Sequence, residues 1–209
     1  MKNTTLATLT LLAASSAAFA QSSLNKSGLS YDRVSVGYSS SSDVRTFGVN
    51  ASALLGDNVL VGGNYQDVTF KNFGSVSGTA TGFGLGYKFS VGSGDLVLSL
   101  GYAQIQAAGL SGATVIAAAG ESTTLGLAWR QKISDSLEYG VSYVHGRTNV
   151  VAGGYDLVSG ASSSNGSSTN DNQLGLTLRY NLSKAFDVTA GYAFASGGNI
   201  WSLSAGYNF

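Results

Sequence analysis

From Gln173 to Leu182 the chain alternates without a break: Leu174, Leu176, Leu178, Tyr180 and Leu182 interleave with Gln173, Gly175, Thr177, Arg179 and Asn181. Phe83, Leu85, Tyr87, Phe89 and Val91 alternate in the same way with Gly82, Gly84, Gly86, Lys88 and Ser90. A period of two gathers each set on one face of a strand, whereas a helix would scatter it around the axis. Reading onward predicts ten such segments: 31–40, 44–55, 58–70, 79–91, 95–106, 121–133, 137–149, 172–182, 186–195 and 199–209. Strands of soluble proteins average about 5–6 residues, and a tilted strand needs about 9–11 to cross a bilayer. The lengths therefore favour a membrane. In 95–106, Leu96, Leu98, Leu100 and Tyr102 keep phase but Ile105 leaves it, which a β-bulge would explain.

The connections fit a barrel. Gly56-Asp57-Asn58, Gly92-Ser93-Gly94, Ser134-Asp135-Ser136 and Ser183-Lys184-Ala185 are tight, while 71–78, 107–120 and the Gly/Ser/Asn-rich 150–171 are long. Short periplasmic turns opposite longer outer loops are the pattern of outer-membrane barrels. Aromatic residues of the apolar phase gather at strand ends, as at Tyr87, Phe89 and Trp129, where a headgroup boundary suits them. The expected fold is an all-β, up-and-down antiparallel transmembrane barrel of about ten strands. Eight is the alternative if one hairpin lies outside the membrane.

The N-terminus carries the matching export signal. Lys2 precedes an apolar stretch from Leu6 to Ala18, and Ala18-Phe19-Ala20 supplies small residues for cleavage. The stretch is shorter than the roughly 20 residues of a spanning helix. The expected organisation is a signal peptide at 1–20, a short periplasmic segment at 21–30 and the barrel at 31–209. Only 11% of the residues are charged and the net charge is zero, which gives nucleic acid nothing to hold. With no cysteine, the disulfide framework of a small secreted domain is excluded.

The last strand makes the family resemblance specific. Leu203, Ala205, Tyr207 and the terminal Phe209 alternate and end on an aromatic residue. The chain resembles the small porin-like outer-membrane β-barrel proteins of proteobacteria. The resemblance implies residence in the outer membrane of a Gram-negative bacterium. It also makes the barrel-assembly machinery the partner that reads Leu203, Ala205, Tyr207 and Phe209 during biogenesis.

Function must then sit in the lumen, in the loops or on the membrane surface. The inward phase is small, mainly Gly and Ser, and ten strands so lined would leave polar volume for water. Arg33, Lys88, Arg130, Lys132 and Arg179 fall on that phase toward the periplasmic end, with Glu138 and Asp187 as acidic partners. Five cations against two anions predict a basic ring and a narrow pore with mild preference for anionic solutes. The competing reading is a lumen closed by paired charges or inward-folded loops.

The single histidine, His145, shares the lipid-facing phase with Arg147 and faces no nucleophile or paired carboxylate, so no catalytic residue is expected. Both suit lipopolysaccharide phosphates at the outer interface. No metal cluster or cofactor motif is visible. The third reading is an adhesin-like barrel acting through its outer loops, although Tyr155 is the only aromatic anchor in 150–171, and a barrel enzyme acting on outer-membrane lipid or peptides is the remaining alternative.

Overall fold

The computed structural model describes residues 27–209, and the export signal expected at 1–20 lies outside the described residues. Ten strands close into an antiparallel barrel: β1 (Arg33–Ser40), β2 (Val44–Leu55), β3 (Val59–Phe70), β4 (Ser77–Val91), β5 (Gly94–Ser111), β6 (Thr114–Lys132), β7 (Leu137–Asp156), β8 (Ser162–Asn181), β9 (Phe186–Ala195) and β10 (Ile200–Asn208). Each strand pairs with its sequence neighbours, and β1 closes the ring against β10 with Val34 opposite Tyr207 and Tyr38 opposite Leu203. Every interior strand edge is thereby paired, which a hydrocarbon environment requires.

The alternation sorts side chains as expected. Phe83 and Leu100 on the outer phase are each 62% exposed, while Lys88 and Arg130 on the inner phase are buried. A continuous outward belt of Leu, Val and Phe is tenable only against lipid. Inward glycines let the strands curve and pack closely. A Cβ on Gly48 would stand 2.7 Å from the Tyr65 carbonyl oxygen on the next strand.

Two expectations are corrected. The stretches 107–120 and 150–171 are not loops. β5 and β6 pair without interruption from Gly94↔Gln131 to Ser111↔Thr114, and β7 and β8 from Leu137↔Tyr180 to Tyr155↔Ser162. Only the turns at 112–113 and 157–161 separate them, with Gly112 and Gly160 in the left-handed region at φ 62° and 70°. Ser, Asn and Gly are poor strand formers alone, and pairing with a neighbour overrides that preference here. Nor is there a bulge at Ile105. The register runs evenly through Ile105↔Ala80, and Ile105 points inward into an apolar cluster.

The barrel is therefore lopsided. β1, β9 and β10 have 8, 10 and 9 residues, a bilayer's worth. β5 to β8 have 18, 19, 20 and 20, and continue outside as one four-stranded sheet. That sheet has a core of its own. Phe70 and Phe73, edge to face at 6.3 Å between centroids, fold with Val76 onto Ala103, Ile105 and Val150. At the opposite end Leu29 and Tyr31 pack on Leu60 and Val97.

Candidate functional site

The inward charges meet at the mouth where β1 begins and β10 ends. Asp187 on β9 is the hub. Its carboxylate accepts from Arg33 Nη2 on β1 at 2.6 Å, Arg179 Nη2 on β8 at 2.7 Å and Asn208 Nδ2 on β10 at 3.0 Å. One carboxylate thus ties the first strand to the last three. Glu138 pairs with Arg130, lies 4.0 Å from Arg179 Nη1, and accepts from Asn181 Nδ2 at 2.9 Å. All five of these charged side chains are buried.

Lys88 is buried as well, with its ammonium 5.6 Å from the centre of the Tyr31 ring; the Arg130 guanidinium lies 5.1 Å from the same ring. Tyr31 is therefore held by two cations as well as by apolar packing. Lys132 is half-buried, in register with Glu138 and beside Gly28. The five cations thus line one mouth and all point inward, but they do not form an open ring.

Sequence reasoning missed a third carboxylate, Asp95, which is fully buried. It accepts from Tyr31 Oη at 2.7 Å and from the hydroxyls of Ser27 and Ser90, each at 2.8 Å. Its signal was phase: Asp95 shares parity with inward Val97 and stands opposite Arg130. The buried mouth thus holds Arg33, Lys88, Arg130 and Arg179 against Asp95, Glu138 and Asp187, an excess of one positive charge. Residues 27–32 were missed as well. Leu29 and Tyr31 are fully buried within the mouth, so this segment occupies it.

His145 and Arg147 are exposed on the outward face above the lipid belt. His145 Nδ1 donates to Asn172 Oδ1 at 2.8 Å, and Arg147 Nε donates to Ser168 Oγ at 3.3 Å. Nearby, Glu121 accepts from Tyr102 Oη at 3.3 Å and from Asn149 Nδ2 at 3.4 Å. These groups form a polar girdle where headgroups begin. Leu203 and Tyr207 face outward on the closing strand with Ala205 in their phase, and Phe209, just past its end, is exposed as well.

Higher still, the sheet leaves one edge open. β9 pairs with β8 only as far as Gln173↔Ala195, so among the described residues no strand lies beside Ser162–Asn172 on the side away from β7. The turn between β7 and β8 is fixed by Asp156, whose Oδ1 accepts the amides of Val158 at 2.9 Å and Ser159 at 2.8 Å. Those amide bonds hold its carboxyl below the usual aspartate range.

No family model matches the chain, and no curated protein matches it. Among solved structures, the translocator domain of the autotransporter NalP from Neisseria meningitidis is similar at a TM-score of 0.51 and 13% identity, over 85% of this chain and 87% of that one. The KdgM porin in complex with disordered oligogalacturonate is similar at 0.49 and 9% identity, over 85% and 99%. Ail, the attachment invasion locus protein of Yersinia pestis, in complex with the heparin analogue sucrose octasulfate, is similar at 0.42 and 15% identity, over 85% and 97%. At 13% identity the likeness to the translocator domain is one of architecture alone, a closed antiparallel barrel, which this chain wraps in an outward apolar belt of the kind that faces lipid.

Proposed function

We propose that the protein is an adhesin-like surface barrel that acts through the sheet it raises above the outer membrane, with its lumen closed at rest. The observation that supports this most is the continuation of β5–β8 for eight to ten residues beyond the length a bilayer needs. An extended sheet with its own core, an open edge and a tip whose one charged group, Asp156, is turned onto its own amides suits display; a porin needs only short hairpins and a clear lumen. The girdle residues His145 and Arg147 would seat the barrel against lipopolysaccharide phosphates.

The test is attachment of a non-adherent bacterium displaying the barrel to animal-cell monolayers. Full-length barrel should confer attachment. A version with β5–β6 and β7–β8 shortened to bilayer length should fold and lose it. Equal attachment by both would remove the reading.

A second reading, a narrow pore with mild anion preference, is supported by the Gly- and Ser-rich inward phase and the single excess positive charge at the mouth. In that reading the pore conducts only when residues 27–32 leave the mouth. Conductance across a salt gradient tests it.

A further inference from the structure

We propose that the tip of the raised sheet inserts into the lipid of an apposed bilayer. This rests on the adhesin-like reading and names its partner as a lipid surface.

The outward face of β5–β7 changes character twice with height. Leu100, Leu125 and Tyr143 face the protein's own bilayer. Gln104, Glu121, Arg147 and Asn149 follow as the polar girdle. Above them the face turns apolar again: Leu110 stands beside Val115, and Val115 beside Tyr155. Those three are 45%, 39% and 48% exposed, and in the adjoining turn Leu157 and Val158 are 58% and 85% exposed. Val158 is the most exposed large apolar side chain among the described residues. From Tyr143 to Asp156 the strand runs about 44 Å along its length at roughly 3.4 Å per residue. The tip is therefore well clear of the membrane that holds the barrel, and its apolar groups have no lipid there to cover them.

Charge and backbone chemistry favour lipid over protein as the occupant. Residues 107–120 carry no charged side chain, and 150–170 carry only Asp156, whereas Glu121, His145 and Arg147 lie in the girdle below. The Asp156 carboxylate is turned onto the amides of Val158 and Ser159. The other amides of the turn are engaged internally too. Asp156 N donates to Ala161 O at 2.9 Å, Gly160 N to Asp156 O at 2.9 Å, and Leu157 N to Ala113 O at 3.0 Å. Hydrocarbon offers no hydrogen bonds, so a turn whose amides are already engaged within itself enters it at lower cost. A protein partner makes no such demand. Tyr155, one step below Leu157 and Val158, has the amphipathic ring that settles at headgroup depth.

The chain has no cysteine, so Val158→Cys carries a polarity-sensitive dye at a single site. The labelled barrel, held in a nanodisc, is mixed with phosphatidylcholine vesicles whose acyl chains are brominated. The proposal expects a blue shift and quenching at position 158, and neither at a Ser164→Cys control on the polar edge. Unlabelled barrel should float with the vesicles, and a Leu157→Asp, Val158→Asp pair should reduce flotation about tenfold or more, since each buried aliphatic side chain is worth more than a factor of ten. Both substitutions lie in an exposed turn, so the barrel remains folded as a control. An unshifted dye, equal flotation of the aspartate pair, or quenching by bromolipid confined to the nanodisc itself would overturn the proposal. If shortening the hairpins abolishes cell attachment while the aspartate pair retains it, the adhesin-like reading stands and this inference alone falls.

Discussion

Tyr31 donates its phenolic hydrogen to Asp95 across 2.7 Å, fastening the segment before the first strand to the start of the fifth. Both side chains are fully buried, and Lys88 and Arg130 both stand over the Tyr31 ring. A hydrogen bond to a charged group is worth about 1.5–3 kcal/mol, so Tyr31→Ala should raise the population with an emptied mouth by about tenfold or more. In planar bilayers the unmodified barrel should stay silent, and Tyr31→Ala should give discrete openings with a mild preference for anions. Frequent openings of the unmodified barrel would contradict the closed mouth.

Asp187 links β1, β8, β9 and β10 through Arg33, Arg179 and Asn208. Removing one member of a buried ion-pair network costs about 3–5 kcal/mol, because the remaining charges stay buried without a partner. Asp187→Ala should accordingly destabilise the barrel by about that amount, read as the urea midpoint in lipid vesicles, and Asp187→Asn by less. An unchanged midpoint for the alanine variant would show that the network does not hold the closing seam.

The height of the bilayer along the strands can be read by arginine substitution. Leu100, on the outward phase, should tolerate Arg poorly, with a loss of about 2–4 kcal/mol expected near the midplane. Leu157 lies at the outer tip, where the same substitution should leave folding stability unchanged. Equal losses at both positions would place the tip in the barrel's own membrane.

Asp156 makes its prediction through pH. Amide donors lower its folded pKa, so the turn's added stability is present above the ordinary aspartate range and is lost as pH falls through the depressed value. An NMR titration of the Asp156 carboxyl carbon should give a midpoint below that of an unstructured aspartate. A midpoint at or above it would mean that the amide bonds to Val158 and Ser159 do not persist.

Lipid writes its demands plainly into a sequence. From Leu174 to Leu182 and from Phe83 to Val91, every second residue had to be apolar, and strand, phase and barrel were readable from that alone. The raised sheet was not readable, because outside the bilayer no such demand applies. Ser162–Asn170 forms strand because β7 pairs with it, although its Ser, Asn and Gly residues favour turns. Ile105 broke the expected phase for the same reason. Above the membrane the inner face must bury apolar groups of its own, and Ile105 belongs to that cluster. At the mouth, Arg33, Arg130 and Arg179 were found by parity, yet Asp95 was hidden beside the Gly92–Gly94 turn. Leu29 and Tyr31 precede the first strand, where no periodicity marks them.

The account turns on the raised sheet being the working part and the lumen being its support. Attachment to cell monolayers should be counted side by side for the full barrel, the hairpin-shortened barrel and Tyr31→Ala. The account predicts that shortening abolishes attachment while Tyr31→Ala, whatever it does to conductance, leaves it unchanged. Attachment retained after shortening, or lost on opening the mouth, would contradict it.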